Sequence, residues 1–83
     1  MKNTYPVVLT KDKTGYTVFI PDFKINTQGK NLNEALYMAQ DAIIMMGSDM
    51  LRDGKALPTP SKNSVISLNP TDILKTVEVD FPE

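Results

Sequence analysis

The stretch NLNEALYMAQDAIIMMGSDMLRDG, residues 31–54, decides the fold, because it carries the start, body and end of one long helix. Asn31 is a favoured N-cap residue, and Glu34 stands three positions later, as in a capping box. Gly54 is placed for a left-handed C-terminal cap. We predict a helix over residues 32–52, with one buried stripe at helical spacing formed by Leu32, Ala35, Leu36, Ala39, Ile43, Met46 and Met50.

The residues before the helix predict an antiparallel β-meander. Residues 5–10 (YPVVLT) and 16–20 (YTVFI) are rich in strand-forming residues and are separated by a polar turn that contains Gly15. Pro21 ends the second strand, because proline has no N–H group to donate to a neighbouring strand. A short third strand over residues 25–28 ends before Gly29.

The residues after the helix predict a connector and one last strand. Residues 57–61 (LPTPS) are extended, since residues before proline avoid helical geometry, and residues 69–72 form a turn that contains Pro70. Residues 73–79 form the last strand, and a strand that follows a helical crossover commonly lies parallel to an earlier one. We therefore predict one α+β domain over residues 1–83, ordered β-β-β-α-β, with a three-stranded antiparallel meander, one parallel strand and a single helix on one face.

The composition excludes several kinds of chemistry. The 83 residues include no histidine and no cysteine, and the four glycines are isolated. Histidine-based catalytic triads, thiolate or histidine zinc sites, disulfides and phosphate-binding glycine loops are therefore absent. We predict a protein with no catalytic residue, no metal and no cofactor, which acts by binding another protein.

Charge and hydropathy limit the partners and the location. Nine basic and ten acidic residues are scattered along the chain and give a net charge of −1, whereas nucleic-acid-binding modules usually carry a clustered basic patch. The N-terminal residues lack the apolar segment of a signal peptide, and no apolar run is long enough to cross a bilayer. These observations predict a cytoplasmic protein that does not bind membranes.

Acidic residues leave one route to catalysis. Asp12, Asp22, Glu34 and Asp41 could be imagined as magnesium ligands of a metal-dependent nuclease. Each also has a local structural explanation: Asp12 lies in a turn, Asp22 follows a proline that ends a strand, and Glu34 caps the helix. Asp41 lies on the helix face opposite the predicted core.

Two sets of apolar residues exceed what a single sheet–helix core requires. Tyr37, Ile44 and Leu51 are spaced seven apart and lie beside the main stripe of the helix. Either the connector folds back over them, or they form a surface for a partner or a second copy. Phe19 points away from the sheet face that carries Tyr16, so that one face of the sheet is expected to be open to another chain.

The sequence also resembles the HicB antitoxin family over residues 4–61. The similarity is carried in order by Tyr5-Pro6-Val7, by residues 15–22 (GYTVFIPD), by Thr27-Gln28-Gly29, by Asn33-Glu34-Ala35 and by residues 57–61. The resemblance implies a partial RNase H-like fold without the catalytic carboxylates. It also implies a role as the antitoxin of a toxin–antitoxin pair, whose partner is a small HicA-type toxin that cleaves mRNA with its own histidine and is blocked by coverage of its active site.

Many members of that family continue into a helix-turn-helix or ribbon-helix-helix domain that binds DNA. This sequence ends at Glu83, four residues after Val79, so the chain is either a short stand-alone member or a fragment. In both cases we expect residues 1–83 to contain no such domain, which makes DNA binding by them doubtful. Self-association as a homodimer or larger oligomer is still expected. A residual RNase H-like nuclease and a homo-oligomeric scaffold without a toxin remain the alternative functions.

A toxin that binds RNA must carry positive charge, and it would be attracted to acidic groups that stand beside apolar anchors. These two criteria select six candidate partner-binding residues: Phe19, Asp22, Phe23, Tyr37, Asp41 and Ile44.

Overall fold

The computed structural model describes residues 2–81. The meander, the helix and the last strand all form, and a short 3-10 helix that the sequence did not predict interrupts the connector. The elements are β1 (Lys2–Asp12), β2 (Gly15–Ile20), β3 (Ile25–Gly29), α1 (Leu32–Arg52), the 3-10 helix Asn63–Val65 and β4 (Ile73–Asp80).

The ends of α1 follow from its capping residues. The Asn31 side chain accepts a hydrogen bond from the backbone N–H of Glu34 (2.8 Å), and the Glu34 carboxylate accepts one from the N–H of Lys30 (2.9 Å). At the other end Gly54 has φ +77°, and the N–H groups of Gly54 and Lys55 donate to the carbonyls of Leu51 and Met50. This is a Schellman motif, so the predicted span of the helix is correct at both ends.

The sheet has the order β3-β2-β1-β4, and all neighbouring strands are antiparallel. The prediction of a parallel last strand is therefore wrong, and the RNase H-like detail that the resemblance implied is not supported. The cause is the path of residues 53–72, which we call the strap. From the end of β3, α1 runs back along the sheet, and the strap then crosses the sheet in the reverse direction. Ile73 at the start of β4 therefore pairs with Leu9 near the end of β1.

Long-range hydrogen bonds hold the strap on its course. Ser61 donates through its N–H and its hydroxyl to the carboxylate of Asp22 in the β2–β3 turn. Farther along, the Thr10 hydroxyl donates to the carboxylate of Asp72 (2.7 Å). The strap thus passes from one end of β2 toward the opposite end of β1, across the sheet face that α1 leaves uncovered.

The core lies between α1 and the other face of the sheet. Alternate residues of the strands point into it, and the helix contributes residues four positions apart: Ala35, Ala39, Ile43 and Gly47. Because four residues turn the helix by about 400°, this line of contact shifts round the helix by about 40° at each step. Met46, predicted to be in the core, is consequently 38% exposed, whereas Ile44 and Leu51 pack against the core.

Two close approaches fix the distance between helix and sheet. A Cβ atom placed on Gly29 at the end of β3 would lie 2.4 Å from the backbone nitrogen of Ala35. One placed on Gly47 would lie 2.3 Å from the ring of Phe81, which is buried.

Within the described residues, no helix is long and apolar enough to span a membrane.

Candidate protein-binding surfaces

The six residues predicted to bind a partner do not form one surface. Tyr37 and Asp41 lie one turn apart on the exposed side of α1, whereas Phe19 lies on the opposite face of the molecule. The remaining three have structural contacts. Asp22 holds the strap through Ser61, and Phe23 stacks edge-to-face on Tyr5 with ring centroids 4.9 Å apart. Ile44 is half-buried against the core.

The exposed side of α1 forms the first candidate surface. Tyr37, Asp41, Met45 and Asp49 follow one another at four-residue intervals, and we call these four residues the helix surface. The side chains of Tyr37 and Met45 are 65% and 63% exposed, which is unusual for such large apolar groups. Met45 was not among the predicted binding residues, although its helical position beside Tyr37 and Asp41 could have identified it.

The helix surface is acidic. The residues of α1 include three carboxylates (Glu34, Asp41 and Asp49) and one cation (Arg52), which gives a formal charge of −2. Arg52 forms an ion pair with Asp49, and both side chains are mostly exposed. Asp41 lies between Tyr37 and Met45, so a carboxylate stands directly between two apolar side chains. This arrangement suits a partner that presents both positive charge and apolar groups.

The second candidate surface is a groove of about 380 Å³ between the sheet and the strap, which we call the sheet groove. Its walls carry only one charged side chain, Asp72, and that carboxylate already accepts hydrogen bonds from the Thr10 hydroxyl and the Asn69 N–H. Val65 of the strap is 71% exposed and Phe19 is 40% exposed. The groove is lined by Val8, Thr10, Phe19, Pro21, Ser61, Val65, Ile66, Ser67 and Asp72.

The four carboxylates considered as magnesium ligands do not converge on one point. Asp12 lies at the β1–β2 turn, where it accepts hydrogen bonds from the Thr14 N–H and hydroxyl and from the Thr17 hydroxyl. Asp22 lies beyond the other end of β2, a strand of six residues that spans about 20 Å at 3.4 Å per residue. Across residues 2–81, no three metal-ligating side chains of the His, Cys, Asp or Glu type are close enough to hold one ion.

A second depression, of about 390 Å³, lies at the end of the sheet next to the first turn of α1. Asp12 and Glu34 are both on its wall, but each carboxylate already accepts local hydrogen bonds. The hydrogen bonds from Thr14 lower the pKa of Asp12 below its ordinary value of 3.8. These acids thus cap a turn and a helix, which agrees with the structural explanation that the sequence suggested.

Comparison with known proteins places these surfaces in context. The family model of HicB-like antitoxins of bacterial toxin–antitoxin systems matches residues 4–75. A curated relative, Antitoxin HicB 2 of Photorhabdus laumondii, is 41% identical over 58 residues, which are 69% of this chain and 42% of that protein. This chain therefore spans less than half the length of the curated relative that it matches.

Solved structures show the same fold. A toxin–antitoxin complex from Streptococcus pneumoniae contains a chain that is 26% identical, with a TM-score of 0.85 over 96% of this chain and 70% of the other. A chain of the HicA3 and HicB3 toxin–antitoxin complex is 22% identical, with a TM-score of 0.74 over 94% of this chain and 99% of the other. With the match over residues 4–75, these findings show that the chain belongs to the HicB-like antitoxin family.

Proposed function

We propose that this chain binds a HicA-type mRNA-cleaving toxin through the helix surface and blocks the toxin's active site sterically. Membership of an antitoxin family supports the role, and similarity to a chain within a toxin–antitoxin complex supports a toxin as the partner. The single observation that carries the choice of surface is the exposure of Tyr37 and Met45 on either side of Asp41.

Charge favours the helix surface over the sheet groove for this partner. An enzyme that cleaves mRNA must hold a polyanion, so its active site is surrounded by positive charge. The Asp41 carboxylate, which stands between the two exposed apolar side chains, attracts such a surface and competes with RNA for it, whereas the one carboxylate of the sheet groove accepts hydrogen bonds from Thr10 and Asn69. Attraction between charges speeds the encounter, and the apolar contacts of Tyr37 and Met45 slow dissociation.

Steric blocking requires no reactive group on the antitoxin. Side chains that occupy the toxin's RNA-binding surface exclude the substrate as long as the complex persists. The enzyme of the pair is then the partner, which agrees with the finding that the four candidate carboxylates do not converge on one point.

The proposal is tested by co-expression of this chain with the protein encoded beside its gene. We expect a small, basic, histidine-containing protein to co-purify and to lose its RNA-cleaving activity in the complex. If no such protein is encoded there, or if it remains active when this chain is in excess, the proposal is wrong.

Variants of the helix surface locate the contact. Asp41→Lys reverses the charge between Tyr37 and Met45, and we expect the dissociation constant for the toxin to rise at least about tenfold. Asp41→Asn removes the charge with little change in shape and is expected to give a smaller rise that disappears at high salt. Val65→Asp on the opposite face is the matched control and is expected to leave toxin binding unchanged. If only Val65→Asp weakened toxin binding, the toxin would bind at the sheet groove, and the choice of the helix surface would be wrong.

A further inference from the structure

We propose that Met45 is a reversible oxidation site in the helix surface, at which an uncharged peroxide forms a sulfoxide that weakens toxin binding. The effect on binding rests on the proposed function, whereas the order in which the methionines oxidise does not. The chain contains five methionines and no cysteine, so thioethers are the sulfur groups that a two-electron oxidant meets here.

Exposure separates Met45 from the other methionines of α1. Four methionines lie in this helix. Met45 is 63% exposed and Met46 is 38% exposed, whereas Met38 and Met50 are half-buried. Because peroxide reaches the sulfur through solvent, the most exposed thioether reacts first. The expected order of oxidation is therefore Met45, then Met46, and then the two half-buried methionines.

The charge around the Met45 side chain favours an uncharged oxidant. Asp41 and Asp49 stand four residues before and after it, so a carboxylate lies one helical turn away on each side. Arg52 partly offsets the charge of Asp49, which leaves Asp41 with the larger effect. These carboxylates repel anionic oxidants such as hypochlorite but not hydrogen peroxide, which is neutral at physiological pH. They also stabilise the partial positive charge that sulfur gains as it donates electrons to oxygen.

The reaction transfers one oxygen atom and two electrons. The lone pair of the Met45 sulfur attacks one oxygen of hydrogen peroxide, the O–O bond breaks, and a sulfur–oxygen bond forms. The leaving hydroxide takes the proton of the transferred hydroxyl group and departs as water. Sulfur is thereby oxidised and peroxide is reduced. Methionine sulfoxide reductases reverse the change with a dithiol, which becomes a disulfide as water is released, so the site works in both directions.

The sulfoxide changes what Met45 contributes to an interface. The apolar groups that the helix surface offers to the toxin are Tyr37 and Met45. A sulfoxide oxygen is a hydrated acceptor, and its burial costs free energy unless a donor replaces the lost water. The oxidised chain is therefore expected to dissociate faster from the toxin. A bound toxin also covers Met45, so peroxide acts on the free chain and prevents it from binding again.

The first measurement is the order of oxidation. The chain is treated with hydrogen peroxide, the peroxide is removed, and peptide mapping by mass spectrometry locates each added oxygen atom. Met45 should be oxidised before the other methionines of α1, and more slowly when the HicA-type toxin encoded beside the gene is bound. Oxidation of Met46 ahead of Met45 would overturn the proposal. Equal rates at Met45 in the free and the bound chain would do the same.

The second measurement is the dissociation constant for the toxin, with the oxidised chain and again after treatment with methionine sulfoxide reductases. We expect it to rise about tenfold on oxidation and to return on reduction. In Met45→Leu, peroxide should leave the constant at that variant's own untreated value, because leucine has no sulfur. In Met46→Leu, the tenfold rise should remain. The same rise in Met45→Leu as in wild type would place the effect at another methionine and refute the proposal.

These outcomes distinguish failure of the oxidation site from failure of the proposed function. If the untreated chain does not bind the toxin, the proposed function is wrong, and the effect of oxidation on binding fails with it. If the untreated chain binds and the oxidised chain binds equally well, only the role of Met45 is refuted. Circular dichroism of the oxidised chain should show an intact helix. Loss of the helix would mean that oxidation unfolds the chain, which would also refute a local change at the helix surface.

Discussion

The two faces of the sheet are covered in different ways. Against one face, α1 lies so close that glycines occur at both contact points, Gly29 and Gly47. The core side chains that lie between the helix and the sheet are buried. Over the other face, the strap leaves a groove of about 380 Å³ and is held by polar contacts at Asp22 and Asp72. The first face stabilises the fold, and the second retains exposed apolar side chains that are available to another chain.

The largest effect on stability is expected from a substitution on the sheet face that α1 covers. In Gly29→Ala the new Cβ would lie 2.4 Å from the Ala35 nitrogen and 2.6 Å from its Cα, so the first turn of α1 must move away from β3. We expect a loss of about 3 kcal/mol in the free energy of unfolding, measured by urea denaturation. Gly54→Ala is the control: nothing lies within 4 Å of the added carbon, and the left-handed backbone costs about 1 kcal/mol. Equal losses in the two variants would contradict the close-approach explanation.

The capping residues, and with them the helix, could be predicted from the sequence because each cap is a local interaction. Asn31 and Glu34 are three residues apart, and Gly54 takes a backbone conformation that glycine adopts readily. The inward-facing residues of β2 also follow from alternation along the strand: Val18 and Ile20 are fully buried. The structure on the sheet face that α1 covers was therefore largely predictable.

The structure on the sheet face that the strap crosses was not predictable, because long-range contacts determine it. Asp22 and Ser61 are 39 positions apart, and no local sequence pattern predicts that pairing. The direction of β4 likewise depends on the path of the strap and not on a local pattern. Likewise, the exposure of Met46 and the burial of Ile44 depend on the angle at which α1 crosses the sheet, which the helix sequence alone does not contain. Val65 lies in a short polar connector, where no periodicity indicates which side chains face outward.

The same substitution on each face measures the difference in packing. Val18→Ala removes two methyl groups from the buried face, and we expect a loss of about 2 kcal/mol in the free energy of unfolding. Val65→Ala on the strap removes the same atoms from a side chain that is 71% exposed, and we expect a change below about 0.5 kcal/mol. Both are measured by urea denaturation at a concentration where the chains are monomeric. Comparable losses would mean that the strap is packed as tightly as the helix.

Asp22→Ala tests how the strap is held. The substitution leaves the Ser61 N–H and hydroxyl without their acceptor, and we expect a loss of about 2 kcal/mol, the usual range for hydrogen bonds to a charged group. Ser61→Ala is the milder control, because it keeps the N–H bond. Hydrogen exchange should rise at the Ser61 amide in Asp22→Ala and remain unchanged in the middle of α1. Faster exchange along α1 would show that the two faces do not behave independently.

Tyr5→Phe affects a group that links both faces. The buried ring of Tyr5 lies in the helix-side core, and its hydroxyl donates to the Pro58 carbonyl at the start of the strap (2.8 Å). We expect loss of about 1 kcal/mol at neutral pH from that hydrogen bond. Burial, chiefly, raises the pKa of Tyr5 above 10.0, so the wild-type chain holds this proton more tightly when folded. Its contribution is complete below pH 10 and is lost as the pH rises through the folded-state pKa.

The measurement for Tyr5→Phe is therefore the free energy of unfolding as a function of pH. The free energy of unfolding of wild type should fall above pH 10 as Tyr5 ionises, and the variant should lack this fall, so the two curves converge above pH 10. Parallel curves at high pH would contradict ionisation of Tyr5 as the cause. Tyr37→Phe is a control for the removal of a phenol, because Tyr37 is 65% exposed on the helix surface.

The smallest expected effect is at Asp12, which belongs to neither surface. Donation from the Thr14 N–H and hydroxyl, and then from Thr17, lowers the pKa of its carboxyl below 3.8. A lowered pKa means that the contribution to stability is present above pH 3.8 and is lost as the pH falls through the folded-state value. In an NMR titration, the Asp12 carboxyl should have a midpoint below 3.8, and Thr14→Val should move that midpoint upward. Asp12→Asn should leave toxin binding unchanged; a change would extend the helix surface to the β1–β2 turn.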